Sequence, residues 1–289
     1  MRIGNWQLEI LDGGTFSIDG GAAFGVVPKT VWRRVFPCDE HNRVRFACNC
    51  LLARDGKHVV LIDTGYGGKY PPLDRKSYQM DAGCPIITSL EKHGVSPEEV
   101  DYVLFTHLHF DHAGGATTKE PDGRLVPTFP NAKHLVSQWE WEDATGGSEE
   151  LIAAYPQNNL TPLAQAGVIE SIDFNQAILP GLRALRTGGH TRGHTAFLFQ
   201  SDEGDQGALY IGDLCPTSSH LRLLWNMSYD MFLLVTRRKK REMLSLAVQN
   251  HWWLIFPHDP DTIACRIRAD NRQDYLITEA ERRLIPSSP

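Results

Sequence analysis

The segment THLHFDHAGG places four metal-ligand side chains, His107, His109, Asp111 and His112, within six positions, directly after the apolar run 102–105. In an extended segment, side chains two apart share a face, so His107 and His109 can address one ion. Asp111 and His112 need a turn to aim elsewhere. The small residues Ala113, Gly114 and Gly115 permit that turn and a close approach of backbone, which suits a second ion a few ångströms from the first. With only twelve histidines in the chain, such a cluster is improbable as chance. The blander reading, histidines satisfied by core hydrogen bonds or lying at a solvated strand end, is the weaker one.

Three further segments offer ligands, each where a short apolar run ends: TGGHTRGHTAFLF with His190 and His194, LYIGDLCP with Asp213, and WWLIFPHDP with His258 followed by Asp259. A sheet fixes the origin of a side chain at a strand end, while the loops beyond leave a metal accessible to substrate. Singly each is weak, since a lone Asp after a strand is more often a turn residue. In this order after the first cluster they are strong.

Composition then excludes several classes of function. A formal net charge of −6 gives no broad positive field for phosphate backbones, so nucleic acid is not an expected partner. The first residues lack a secretory signal's apolar stretch, and no run approaches the roughly 18 apolar residues of a membrane span, so a cytoplasmic, membrane-free protein is expected. Six dispersed cysteines, Cys38, Cys48, Cys50, Cys84, Cys215 and Cys265, read as reduced thiols. Cys48 and Cys50 lie in FACNCLLA, which alternates like a strand, and no second pair completes a ligand set, so packing is their expected role.

No repeat or low-complexity linker divides the chain, so 1–289 is expected to be one domain with a loop-rich arm at 12–45 and a flexible tail at 284–289. Strands are expected at 6–11, 46–53, 58–63, 102–106, 133–137, 182–187, 195–200, 208–211 and 253–256. Helices are expected at 85–93, 137–144, near 160–166, and at 230–250, the last with Asp230 as N-cap. This alternation suggests layered α/β packing. The basic run 237–241 reads as a solvated helix face, and 66–84 as a mobile loop bordering the site.

HxHxDH at 107–112, the GHTRGH segment, Gly212-Asp213 and His258 resemble the metallo-β-lactamase superfamily of hydrolases. GGAAFGVVPKTVW (20–32), VPTFPNA (126–132), TGGHTRGH (187–194) and LWNMSYD (224–230) look most like its YtnP-type quorum-quenching, acyl-homoserine lactonases. The resemblance implies an α/β fold, a four-layer αβ/βα sandwich with a dinuclear metal site at the sheet edge. It implies His107, His109 and His194 on the first metal, Asp111, His112 and His258 on the second, and Asp213 bridging, with His190 bracing the loop and Asp63 a turn former. Zinc is the default, with iron, manganese and cobalt compatible with five imidazoles and two carboxylates.

That ligand set implies attack by a metal-bridging hydroxide on a lactone or ester carbonyl, with Asp111 passing a proton to the leaving alkoxide. The tyrosine such lactonases carry after the bridging aspartate is replaced by Leu214, Cys215 and Pro216, so Tyr229 or His220 is expected to polarise the carbonyl. Phe24, Trp225, Met227 and Tyr229 are the expected substrate contacts. A homodimer is a further expectation. The competing readings are a phosphotriesterase or arylesterase similar to methyl parathion hydrolase, a diiron oxygen reductase, set aside by His109, and a metal-free binding module, set aside by seven intact ligands.

Overall fold

The structure, a computed structural model, describes residues 1–283. The tail expected at 284–289 lies outside the described residues. Two seven-stranded sheets carry the architecture. The first orders Arg2–Ile3, Trp6–Asp19, Arg43–Arg54, Val59–Ile62, Tyr102–Leu104, Lys133–Val136 and Ile169–Ser171. The second orders Ala177–Leu179, Leu182–Arg186, Thr195–Gln200, Gly207–Tyr210, Trp253–Ile255, Thr262–Asp270 and Asp274–Arg282.

Alternation along the strands explains the layering. Leu8, Leu51, Val60, Ile62 and Leu104 of the first sheet meet Leu182, Phe197, Phe199, Tyr210 and Ile255 of the second in one buried core. The opposite face of the first sheet, with Leu52, Leu61 and Val103, packs on Ile86 and Leu90 of the helix Pro85–Lys92 and on Leu160 and Leu163 of Gln157–Ala166. The outer face of the second, with Leu198, Leu209 and Leu254, packs on Met243, Leu244 and Ala247 of the helix Leu233–Gln249. Helix, sheet, sheet and helix make the expected four layers.

Several local expectations are corrected. The arm at 12–45 is largely ordered: Trp6–Asp19 pairs with Arg43–Arg54 along both lengths, and the short helices Gly20–Phe24 and Lys29–Trp32 fill the connection. A bulge between Asp12 and Thr15 admits the close approach of Tyr66, whose hydroxyl would lie 2.2 Å from a Cβ on Gly14. The stretch 66–84 holds a helix, Pro72–Ser77. The long helix starts at Leu233 with Phe232 at its N-cap and no side-chain cap, because Asp230 is engaged elsewhere. Within its basic run Lys240 is fully buried and donates to the carbonyl oxygens of Arg222 and Trp225, while Arg238 and Arg241 remain solvated. Among the described residues no helix is long and apolar enough to cross a membrane.

Candidate metal centre

Val59–Ile62, Tyr102–Leu104 and Lys133–Val136 run parallel in the first sheet, as do Gly207–Tyr210 and Trp253–Ile255 in the second. The ligand-type residues leave the carboxyl ends of these strands: His107 beyond Leu104, Asp213 beyond Tyr210 and His258 beyond Ile255. Crevices at carboxyl ends are where open α/β sheets place their chemistry. A short helix, Phe110–Ala113, supplies the turn that re-aims Asp111 and His112.

Three groups of potential ligands converge: His107 with His109 and His190; His107 with His112 and Asp213; and Asp111 with His112 and His258. His109 Nδ1 stands 3.0 Å from both His107 Nε2 and His190 Nε2, and His112 Nε2 stands 3.0 Å from His258 Nε2. Asp213 lies between, its Oδ1 3.0 Å from His258 Nε2 and 3.4 Å from His112 Nε2, its Oδ2 3.4 Å from His190 Nε2.

Four of the five imidazoles have the nitrogen turned away from this centre held by an oxygen atom, while His109 Nε2 is buried without a partner. His107 Nδ1 meets Thr106 Oγ1 at 3.0 Å, His112 Nδ1 meets Asp63 Oδ2 at 2.8 Å, His190 Nδ1 meets Asp230 Oδ1 at 2.8 Å, and His258 Nδ1 meets the Ala47 carbonyl at 2.8 Å. Such partners fix tautomer and ring orientation, leaving the inner nitrogen with its lone pair facing the centre. Asp63 is therefore more than a turn former. Its backbone is left-handed at φ 55°, and its carboxylate also accepts from the backbone N–H and hydroxyl of Thr106, both at 2.9 Å.

The donor set fits a pair of metal ions. Five imidazoles and two carboxylates crowd together, and no hydrogen bond reaches Asp213 Oδ1. Two nitrogens each about 2 Å from one ion in a tetrahedron stand about 3.3 Å apart, close to the spacing within the three-histidine group. The electrostatics divide the histidines: burial opposes charge on His112 and His190, yet Asp213 and the neighbouring carboxylates raise His112 well above, and His190 above, the ordinary histidine value. Burial, then mutual repulsion, push His107 and His109 well below the ordinary histidine value. Burial opposes charge on Asp213 too, yet His258, His112 and His190 hold its carboxyl well below the usual range.

Not every sequence expectation is placed at the centre. His190, expected to brace the loop, joins His107 and His109, while His194 joins none of the groups: its Nδ1 bonds Thr187 Oγ1 at 2.6 Å and its Nε2 accepts from the Asp213 backbone N–H at 2.9 Å. His220 is buried, with both nitrogens spent on Thr217 Oγ1 (2.8 Å) and the Ala23 carbonyl (3.0 Å), and burial lowers it to about 3. Phe24 stacks between Trp32 and His220, and Trp225 and Met227 pack into the same aromatic cluster, so these three are core and line no cavity at the centre.

Tyr229 alone of the expected substrate contacts reaches the site. It lines a cavity of about 820 Å³ together with His109, Asp111 and Asp213, and its ring centroid is 5.9 Å from that of His190. The residue is 41% exposed, yet burial at its hydroxyl end and the charges of Asp213, Asp111 and Asp230 raise its pKa. The apolar wall, which sequence reasoning missed, is Phe16, Ile18, Tyr70, Tyr78, Phe110 and Met231. Phe110, inside HLHFDH, was the one wall residue with a signal, since it stands between the ligand-type residues His109 and Asp111 that line the same cavity.

Residues 43–258 match the Metallo-beta-lactamase superfamily, and the chain belongs to that superfamily. An N-acyl homoserine lactonase of a Bacillus sp is 31% identical over 118 residues, which are 41% of this chain but only 40% of that relative. The N-acyl homoserine lactonase AttM of Azorhizobium caulinodans is 27% identical over 241 residues, 72% of this chain and 76% of its own. A probable metal-dependent hydrolase from Staphylococcus aureus superposes with a TM-score of 0.89 at 30% identity, covering 99% of this chain and 100% of that one. AidC, a dizinc quorum-quenching lactonase in complex with a product, shares the fold with a TM-score of 0.78 at 19% identity over 96% of each chain.

Proposed function

We propose that this chain is a dinuclear metallohydrolase that opens the lactone ring of an N-acyl homoserine lactone. The observation that carries the reading is the convergence of seven ligand-type side chains at one end of an apolar cavity of about 820 Å³, with a phenol at its edge. The names of the curated relatives and the product complex of AidC support the choice of substrate. In this reading His107, His109 and His190 hold one ion, Asp111, His112 and His258 the other, and Asp213 lies between them. Zinc is the proposed metal, as in the dizinc neighbour.

Bound there, two divalent ions would supply a water ionised near neutral pH and an electrophilic pull on the carbonyl. The chain does the rest. Tyr229, kept protonated, donates a hydrogen bond to the carbonyl oxygen as charge develops on it. Asp111, at the cavity wall, carries the proton of the attacking hydroxide to the ring oxygen as the acyl C–O bond breaks, leaving a carboxylate and an alcohol. Phe16, Phe110, Tyr78 and Met231 take the acyl chain and exclude water from the reacting carbonyl. The proposal treats 1–289 as one domain, since both sheets supply ligands, and as cytoplasmic, which six unpaired cysteines support. A homodimer completes it, supported by exposed Val26, Val31 and Val35 on the arm.

The test is hydrolysis of an acyl-homoserine lactone, an aryl ester and a phosphotriester by zinc-loaded protein, with His109→Ala as control. Preferred opening of the lactone, lost in the control, is the expected result. A preference for the phosphotriester would retain the metal centre and replace the substrate.

A further inference from the structure

Glu140 is a carboxylate with no exposed surface on the helix Gln138–Thr145, and neither the metal groups nor the cavity includes it. Its two oxygens take different partners. Oε1 accepts the backbone N–H of Leu108 at 3.0 Å, and Oε2 accepts the hydroxyl of Thr191 at 2.5 Å. Leu108 is the residue between His107 and His109, and Thr191 follows His190. One side chain thus spans the two segments that supply the whole three-histidine group, one following the first sheet's Tyr102–Leu104 and the other lying between Leu182–Arg186 and Thr195–Gln200 of the second.

The surrounding packing reinforces this bridge. Gly193 lies so close to the helix that a Cβ there would be 2.2 Å from the Glu140 backbone nitrogen. Arg192 reaches the same helix through Asp143 at 2.7 Å, Glu142 at 3.0 Å and the Trp139 carbonyl at 3.2 Å. Among the described residues outside the metal groups, no carboxylate bonds both segments of the other group, where Asp63 and the Ala47 carbonyl hold His112 and His258 separately. A buried side-chain carboxyl accepting two hydrogen bonds is a stiffer strut than water or an apolar contact, and the burial that raises the Glu140 pKa also removes competing solvent.

We propose that Glu140 is a positioning residue that sets the geometry of the three-histidine site, and so its metal affinity, selectively over the site of Asp111, His112 and His258. This rests on the reading of His107, His109 and His190 as ligands. The test is zinc binding by the full chain against a competing chelator, in two backgrounds that each leave one site: His258→Ala for the three-histidine site and His109→Ala for the other. Glu140→Ala is expected to weaken zinc about 10- to 100-fold in the first background and by less than about threefold in the second. Glu140→Gln is expected to stay near its parent, since its amide oxygen can accept from Leu108 and its NH₂ can donate to the Thr191 oxygen. Thr191→Val, which cuts one arm, guards against a Glu140→Ala protein that does not fold, and should weaken the first background alone. Equal loss in both backgrounds, or none, overturns the positioning role. A folded His258→Ala protein that takes up no zinc overturns the ligand reading itself, and the inference with it.

Discussion

At the residue scale, the two histidines of GHTRGH show what a sequence can and cannot separate. Both follow a glycine and both are fully buried. His194 enters the strand Thr195–Gln200, where Thr187 and the Asp213 N–H claim its nitrogens. His190 is turned to the centre by Asp230, forty positions away and invisible to any local pattern. We therefore expect His190→Ala to bind one zinc fewer than the wild type. His194→Ala is expected to keep both and to lose about 1–3 kcal/mol of stability from orphaned buried partners. Metal analysis alongside urea melts would separate the two. Tyr229→Phe should lower kcat about 10- to 100-fold with zinc content unchanged, because only the donor to the developing oxyanion is removed. Unchanged turnover would remove Tyr229 from the mechanism. The first cluster was legible because its ligand-type residues lie within six positions. The wall residues were not, since Phe16, Tyr70 and Met231 meet only after both sheets have packed.

At the element scale, all nine strands read from hydrophobic alternation are present, and 195–200 is reproduced to the residue. The hairpin of Thr262–Asp270 and Asp274–Arg282 escaped because its outer positions carry charge, with Arg266 and Glu279 paired at 3.1 Å, and it reads as solvated loop unless its edge position is known. The loop preceding His190 is similarly defined by what it packs on. The N–H groups of Met231 and Phe232 donate to the carbonyls of His190 and Gly189, and Gly189, at φ 96°, lies where a Cβ would be 2.7 Å from Thr236 backbone atoms. Gly189→Ala therefore has neither the dihedral nor the space. It should cost about 1–3 kcal/mol and displace His190 from the centre, read as a lowered melting temperature that added zinc restores less than in the wild type.

For the whole molecule, the metal centre joins the ends of both sheets, so ion binding and folding are linked. An ion held by side chains from both sheets would bind the folded chain more tightly than the unfolded one, and chelation should lower the melting temperature by an amount that grows with the free ion present beforehand. Acid acts on the fold independently of that centre. His134 is fully buried beside Phe105, its Nδ1 on the Ala132 carbonyl, and burial pulls it down to about 4. An unfolded histidine titrates near 6.5, so between about pH 6.5 and 4 the unfolded chain carries a proton at this position that the folded chain refuses. Stability is unaffected by this group above 6.5 and falls as pH drops through the window. His134→Leu cannot take up that proton. Its stability relative to the wild type should accordingly improve by about 1.4 kcal/mol per pH unit across the window, reaching a plateau below about pH 4. Urea midpoints of both proteins, metal-free and matched from pH 7.5 to 4.5, cancel the ligand histidines common to the two. Parallel curves would mean that His134 is protonated in the folded chain as readily as in the unfolded one.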